Sequence, residues 1–236
     1  MANRSTLTPT RRRRWSRSWP AARTPAQIAA FAVALRMKGE TPDEIAGFAE
    51  AMRRRIRRSA PTRQPLVDTC GTGGDNAGHL QHLHHRGAGG GVLRGADRQA
   101  RQPRDLEPRG QRRRPRAARR HDRPRLPRAR RARIDLLGIA FLFAPNYHVA
   151  LSHAAGPRRE IAIRTVFNLL GPLTNPAGAK RQLMGVYHDR LVRVAADVLA
   201  RLGSERAWVV HGLDGLDELT VFAPSHVAEL LNGSGA

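Results

Sequence analysis

Two short runs of this chain hold residue types at a spacing that suits phosphate and metal chemistry. Asp68–Asp75 reads D-T-C-G-T-G-G-D, and Pro65-Leu66-Val67-Asp68 in front of it has the character of a short strand. Glycines directly after a strand let backbone N–H groups converge on an anion, because side chains there would hold a phosphate away. A plain tight turn uses the same residues. The second run, Asp214-Gly215-Leu216-Asp217-Glu218, follows the strand-like Ala207–Val210 and His211-Gly212. Adjacent carboxylates in a loop suit hydrated Mg²⁺, and they equally suit a solvated acidic turn. Pro157-Arg158-Arg159-Glu160 offers either an arginine fork for a carboxylate or a charged helix start. His148, after F-A-P-N-Y, is either a polar substrate contact or a helix-start residue.

The elements that must position these groups follow from caps and periodicity. Thr24-Pro25 opens a helix with Ile28, Phe31, Ala32 and Leu35 on one face, ended by Gly39. Thr41-Pro42-Asp43-Glu44 repeats the start signal ahead of Ile45, Phe48 and Met52. This αα-hairpin needs partners to bury its apolar faces. Ile139–Phe143 is apolar without alternation, which predicts a strand covered on both faces. Leu191–Leu202 has helical spacing and stops at Gly203. Strand, helix and strand in this order predict an α/β layer with a small α-helical appendage. The expected division is residues 1–60 helical and 61–236 α/β.

Net charge is +23 and the pI about 11.9, values that ordinarily suggest attraction to nucleic-acid phosphates. The distribution argues otherwise. Only Lys38 and Lys180 are lysines, and aromatics, at 5%, build no stacking platform among the basic residues. From Arg101 to Arg133 there are 15 arginines in 33 residues, mixed with Pro, Gly and Ala. These are the residues whose codons consist of G and C, so the block resembles a GC-rich gene read out of frame. Codons can be chosen for Gly95–Pro108 so that a one-nucleotide shift reads V-P-I-V-K-H-G-N-R-A-T-S-S, an apolar strand running into a polar loop. The same shift through Arg109–His121 gives A-G-S-A-D-V-L-A-R-L-G-V, an amphipathic helix ending at Gly. Thr10–Thr24 shifts to E-A-A-A-V-V-E-E-L-A-G-G-E, a strong helix former. Residues 10–24 and 79–133 are therefore read as out of frame. His82, His84 and His85 fall in the second block, so no metal is assigned to them.

Together the pieces resemble the anthranilate phosphoribosyltransferase family. The carriers are T-P-A-Q-I-A-A-F at Thr24–Phe31, D-T-C-G-T-G-G-D at Asp68–Asp75 and F-A-P-N-Y-H at Phe143–His148. R-R-E-I-A-I-R-T-V-F-N-L-L-G-P-L-T-N-P at Arg158–Pro176 and H-G-L-D-G-L-D-E at His211–Glu218 complete the set. The shifted K-H-G-N-R-A-T-S-S is itself a signature of that family. The resemblance implies a small α-helical domain on a larger α/β domain of the nucleoside phosphorylase and phosphoribosyltransferase type, usually a homodimer. It implies transfer of a phosphoribosyl group from phosphoribosyl pyrophosphate to anthranilate with Mg²⁺. Gly71, Gly74 and Asp75 are then expected to contact the donor, Gly71 and Arg158 the anthranilate, and Asp217 and Glu218 the metal. No side chain is assigned as a general acid or base, since positioning and electrostatics suffice for this transfer.

Three departures from the family pattern matter. The family's N-x-S-T loop should follow Asp75, where the chain reads Leu80-Gln81-His82-Leu83-His84. The K-H-G-N-R loop is replaced by Gln99-Ala100-Arg101-Gln102-Pro103. Family members also continue beyond the acidic loop, so the C-terminal part of the domain is expected to be missing. The rival readings are a pyrimidine nucleoside phosphorylase of the same fold, against which Arg158 in R-R-E argues, and an arginine-rich nucleic-acid-binding protein. Leu80–Arg133 is expected to be disordered or poorly packed, because an Arg/Pro-rich stretch cannot bury enough apolar area to offset its chain entropy. A single cysteine, Cys70, fits a reducing compartment. No apolar run marks a signal peptide or a membrane span, so the expected protein is cytoplasmic.

Overall fold

The structure, a computed structural model, describes residues 23–73, 91–93, 133–142 and 144–235. The chain opens with two helices, α1 (Pro25–Lys38) and α2 (Pro42–Arg53). Both begin as the caps predict. The Gln27 amide donates to Thr24 Oγ1 at 3.2 Å and the Thr24 amide to Gln27 Oε1 at 3.2 Å. The same reciprocal pair joins Thr41 and Glu44, at 3.3 and 3.1 Å. Glu44 is buried and also holds Lys38 Nζ at 2.7 Å, which locks the turn between the helices. Thr41→Ala is expected to cost about 1 kcal/mol of stability, read as a lowered denaturant midpoint with an unchanged slope.

Strands β1 (Val67–Gly71), β2 (Gly91–Leu93) and β3 (Ile139–Phe141) precede a helical stretch of α3 (Val149–Ser152), α4 (Ala155–Ile161) and α5 (Val166–Leu170). Then come β4 (Arg181–Gly185), α6 (Leu191–Arg201), β5 (Arg206–Gly212), β6 (Ser225–Leu231) and β7 (Ser234–Gly235). Among the described residues seven strands form one sheet, in the order β3-β2-β1-β4-β5-β6-β7. β3, β2, β1, β4 and β5 are mutually parallel, and β6 and β7 are antiparallel additions. Because β4 inserts beside β1, the C-terminal ends of β1, β4 and β5 lie side by side. Gly71 is in register with Gly185, and Gly185 with Val210.

Alternation along the strands gives the sheet two unlike faces. Met184, Ala207, Val209 and Leu230 point into a core shared with Val198 and Leu199 of α6, Val166 and Leu170 of α5, and Ile28, Leu35, Ile45 and Met52 of the N-terminal hairpin. The hairpin's partners are thus the α/β layer's own helices α4, α5 and α6. Phe31 meets Phe48 edge-on at 5.8 Å between ring centroids, a favoured aromatic geometry. Arg53, at the end of α2, donates to the carbonyls of Leu173 and Leu202 at 3.0 and 2.9 Å, fixing the hairpin to the larger layer.

The other face is partly open, and two expectations need correction there. Ile139 and Phe141 are 40% and 44% exposed while Ala140 is buried, so β3 alternates and is not covered on both sides. Among the described residues it is an edge strand, and its outward residues share the open face with Val67, Trp208 and Val227. The predicted strand over Ile139–Phe143 is also shorter, ending at Phe141. Of the stretch Leu80–Arg133, expected to be disordered, Gly91–Leu93 pairs in parallel with both β1 and β3 and Arg133 begins a helical turn over 133–137. The rest of that stretch, and residues 10–22 of the other shifted block, lie outside the described residues.

Candidate functional site

Ligands of open parallel α/β sheets bind beyond the carboxyl ends of the strands, and here both chemically promising loops sit at that edge. β1 runs out at Gly71 into the glycine loop, and β5 runs out at Gly212 into the acidic loop. The two loops touch across β4. The Gly73 amide donates to Asp217 Oδ2 at 2.6 Å, joining residues 144 apart in sequence. Gly73 itself has φ +69°, a left-handed conformation that favours glycine. Thr72 ties the glycine loop to β4: its amide donates to the Gly185 carbonyl at 3.0 Å, and its Oγ1 accepts the Tyr187 amide at 2.9 Å.

The acidic loop is shaped by its own hydrogen bonds. The Gly212 amide donates to the Leu216 carbonyl and the Gly215 amide to the Gly212 carbonyl, both at 2.9 Å. Thr220 Oγ1 donates to Asp214 Oδ2 at 2.5 Å, so Asp214 braces the loop from within. Asp217 is 2% exposed although it carries a carboxylate. A buried carboxylate needs donors or a cation, and the Gly73 N–H is one such donor. At the end of β5, His211 is buried with Nδ1 2.8 Å from the Val186 carbonyl, which requires the proton on Nδ1.

Comparison with known proteins gives this geometry its family. A family model described as "Glycosyl transferase family, helical bundle domain" matches residues 22–56, and one described as "Glycosyl transferase family, a/b domain" matches residues 127–235. An anthranilate phosphoribosyltransferase of Moorella thermoacetica is 50% identical over 220 residues, covering 89% of this chain and 62% of that protein. The crystal structure of anthranilate phosphoribosyltransferase from Thermus thermophilus superposes with a TM-score of 0.72 at 31% identity, covering 96% of this chain and 68% of that one. The chain belongs to the anthranilate phosphoribosyltransferase family. The Saccharomyces cerevisiae anthranilate phosphoribosyltransferase in complex with PRPP and Mg shares the fold, with a TM-score of 0.64 at 22% identity, covering 90% of this chain and 58% of that one. The chain spans about three-fifths of the length of the curated relatives it matches. The shared fold bears out the expected architecture of a helical bundle on an α/β layer.

The sequence-predicted site residues of this anthranilate phosphoribosyltransferase-family chain fall into three groups. Gly71 and Asp217 are brought together, with Glu218 next to them. Gly74 and Asp75 lie outside the described residues. Arg158 lies in the helical layer, half-buried, with its guanidinium 6.0 Å from the centroid of the Phe167 ring. Its helix begins at Ala155, so Pro157-Arg158 is inside α4 and not at its start. His148 precedes α3 as its N-terminal flanking residue, buried, with no side-chain cap hydrogen bond. Sequence reasoning missed Thr72, Gly185 and Tyr187. A signal was available for Gly185, a glycine closing the strand-like R-Q-L-M-G, but nothing in the sequence says that β4 ends between the two loops.

Charges around Tyr187 complete the rim. Arg164 lies 4.4 Å over the Tyr187 ring, a cation–π distance, and burial pushes the Tyr187 hydroxyl above its usual range despite neighbouring arginines. Burial also pulls His188 below the usual imidazole value, with Arg190 adding to it. A hydrogen bond with His226 holds the Asp189 carboxyl below the usual carboxylate range. A carboxyl depressed in the folded state stabilises above its unfolded value, about pH 4, and that contribution is lost as pH falls through the folded value. Asp189→Asn should therefore lower the melting temperature slightly at neutral pH, the pair being exposed. Parent and variant melts should converge on acidification; a gap that persisted in acid would show that the hydrogen bond with His226 is not its source.

Proposed function

We propose that this chain carries the substrate-binding apparatus for transfer of a phosphoribosyl group from phosphoribosyl pyrophosphate to the amine of anthranilate. The observation that carries the reading is the Gly73–Asp217 hydrogen bond. It sets a glycine loop suited to phosphate and a carboxylate loop suited to a cation against each other at the carboxyl edge of a parallel sheet. In the transfer, the amine nitrogen bonds to the ribosyl C1, the bond from C1 to the diphosphate oxygen breaks, and the nitrogen loses a proton. Diphosphate leaves with its bonding electrons. On this reading Gly71, Gly74 and Asp75 contact the donor, and Gly71 and Arg158 hold anthranilate, the guanidinium taking the carboxylate.

Asp217 and Glu218 are the groups that would hold Mg²⁺. The donor set fits that ion: hard oxygens, few in number, leaving room for water and phosphate oxygens. Among the described residues no group of three His, Cys, Asp or Glu side chains forms a closed metal cage. Bound there, Mg²⁺ would neutralise charge on the diphosphate. The chain's own residues bind, orient and shield the reactants. Among the described residues no helix is long and apolar enough to cross a membrane, and we place the intact protein in the cytoplasm as a homodimer. We also place the division between helical and α/β parts near residue 60, with the two sharing one core. The test is anthranilate-dependent release of pyrophosphate by the frame-restored chain.

A further inference from the structure

We propose that Gly185 is a positioning residue for the acidic loop, acting through the main chain of Asp217. The inference rests on the reading of Asp217-Glu218 as the metal-bearing pair, but its physical basis is independent of that reading. A Cβ added at Gly185 would lie 1.6 Å from the Asp217 carbonyl oxygen, 2.6 Å from its carbonyl carbon and 3.4 Å from the Glu218 amide nitrogen. All three are backbone atoms, so no rotamer change could relieve the overlap; the loop would have to lift off the end of β4. Gly185 does not have positive φ. Alanine is therefore acceptable to the backbone there, and the requirement is one of space alone.

Two neighbours complete the floor in a graded way. At Gly212 a Cβ would meet Asp214 Oδ1 at 2.5 Å, Thr220 Cγ2 at 3.0 Å and the Glu218 carbonyl at 3.3 Å. At Gly71 the nearest atom is Asp217 Oδ2 at 2.6 Å, with the Asp217 carbonyl oxygen only at 3.4 Å. The first substitution would displace the loop main chain, the second would strain the brace, and the third would chiefly turn the Asp217 carboxylate away from the Gly73 amide. Three strand ends without side chains thus form the seat that lets one buried carboxylate reach across β4 to the loop after β1. A carboxylate positioned in this way depends on its support as a metal ligand depends on the groups that orient it.

The test uses the 236-residue chain and four variants, Gly185→Ala, Gly212→Ala, Gly71→Ala and Gly171→Ala, the last having no atom within 4 Å of the added Cβ. Hydrogen exchange at residues 212–220 should rise in the order Gly171→Ala, Gly71→Ala, Gly212→Ala, Gly185→Ala, with Gly171→Ala equal to the parent. Exchange in α6 should stay unchanged in all four. Gly71→Ala should selectively expose the Gly73 amide. Should Gly185→Ala not fold, the order of the other three still decides. Mn²⁺ alone is the second probe, with binding by Gly185→Ala expected to be roughly 10- to 100-fold weaker than by the parent. Loop exchange indifferent to the site of substitution overturns the proposal. The predicted order with no Mn²⁺ binding by any form, parent included, upholds Gly185 as the loop's seat and overturns the metal reading.

Discussion

The chain as it stands is expected to release no detectable pyrophosphate from phosphoribosyl pyrophosphate, anthranilate and Mg²⁺. A chain restored in frame over Thr10–Thr24 and Leu80–Arg133, and extended to its relatives' full length, should show anthranilate-dependent release. The donor is highly charged and its leaving group more so, and no single loop neutralises such a ligand. Preorganised donors from several segments must converge, and losing one costs about 10²–10³ in rate. Here the segment that follows Asp75 in sequence reads Leu80-Gln81-His82-Leu83-His84, where the family carries N-x-S-T. Gln99-Ala100-Arg101-Gln102-Pro103 stands where the family carries K-H-G-N-R. Two such losses compound below ordinary detection. Turnover by the unrepaired chain would refute the frame argument, and inactivity of a well-folded repaired chain would refute the substrate assignment.

Local signals in the sequence were sufficient wherever local physics decides. The Thr24 and Thr41 caps, the apolar faces of α1 and α2 and the run Leu191–Leu202 all appear within a residue or two of where periodicity puts them. The glycine loop and the acidic loop were also legible, each as a strand end followed by unusual residue types. Their meeting was not. It depends on β4 pairing between β1 and β5, and the pairing of β4 with β1 joins Val67 to Arg181, residues too far apart in sequence for any local pattern to link. The role of Gly185 was hidden for the same reason, since a glycine at a strand end signals a close approach only when its neighbour is known. Alternation on β3 was hidden by composition: Ile139, Ala140 and Phe141 are all apolar, so the pattern could not reveal that two of them face outward. Arg158 was found by motif, but its place over the ring of Phe167 is a contact that no local pattern encodes.

Substituting Asp217 should separate a structural carboxylate from a metal-bearing one. In a frame-restored chain, Asp217→Asn keeps an amide oxygen able to accept the Gly73 N–H, so the bridge between the loops can persist while the charge is lost. If the carboxylate's task were only to staple the glycine loop, activity would change little. If it helps to hold Mg²⁺, the half-saturating Mg²⁺ concentration should rise about 10- to 100-fold, some 1.4–2.7 kcal/mol. Asp189→Asn is the control: that carboxylate is exposed, paired with His226 and separate from the Gly73–Asp217 bridge. It should leave the Mg²⁺ dependence unchanged. Charge alone does not distinguish the two aspartates, since each substitution removes one negative charge and general electrostatics would weaken Mg²⁺ binding to a similar, salt-screened extent. A large effect confined to Asp217 therefore requires direct engagement of the ion at the carboxyl edge of β1, β4 and β5, and equal effects at the two positions would remove Asp217 from the metal site.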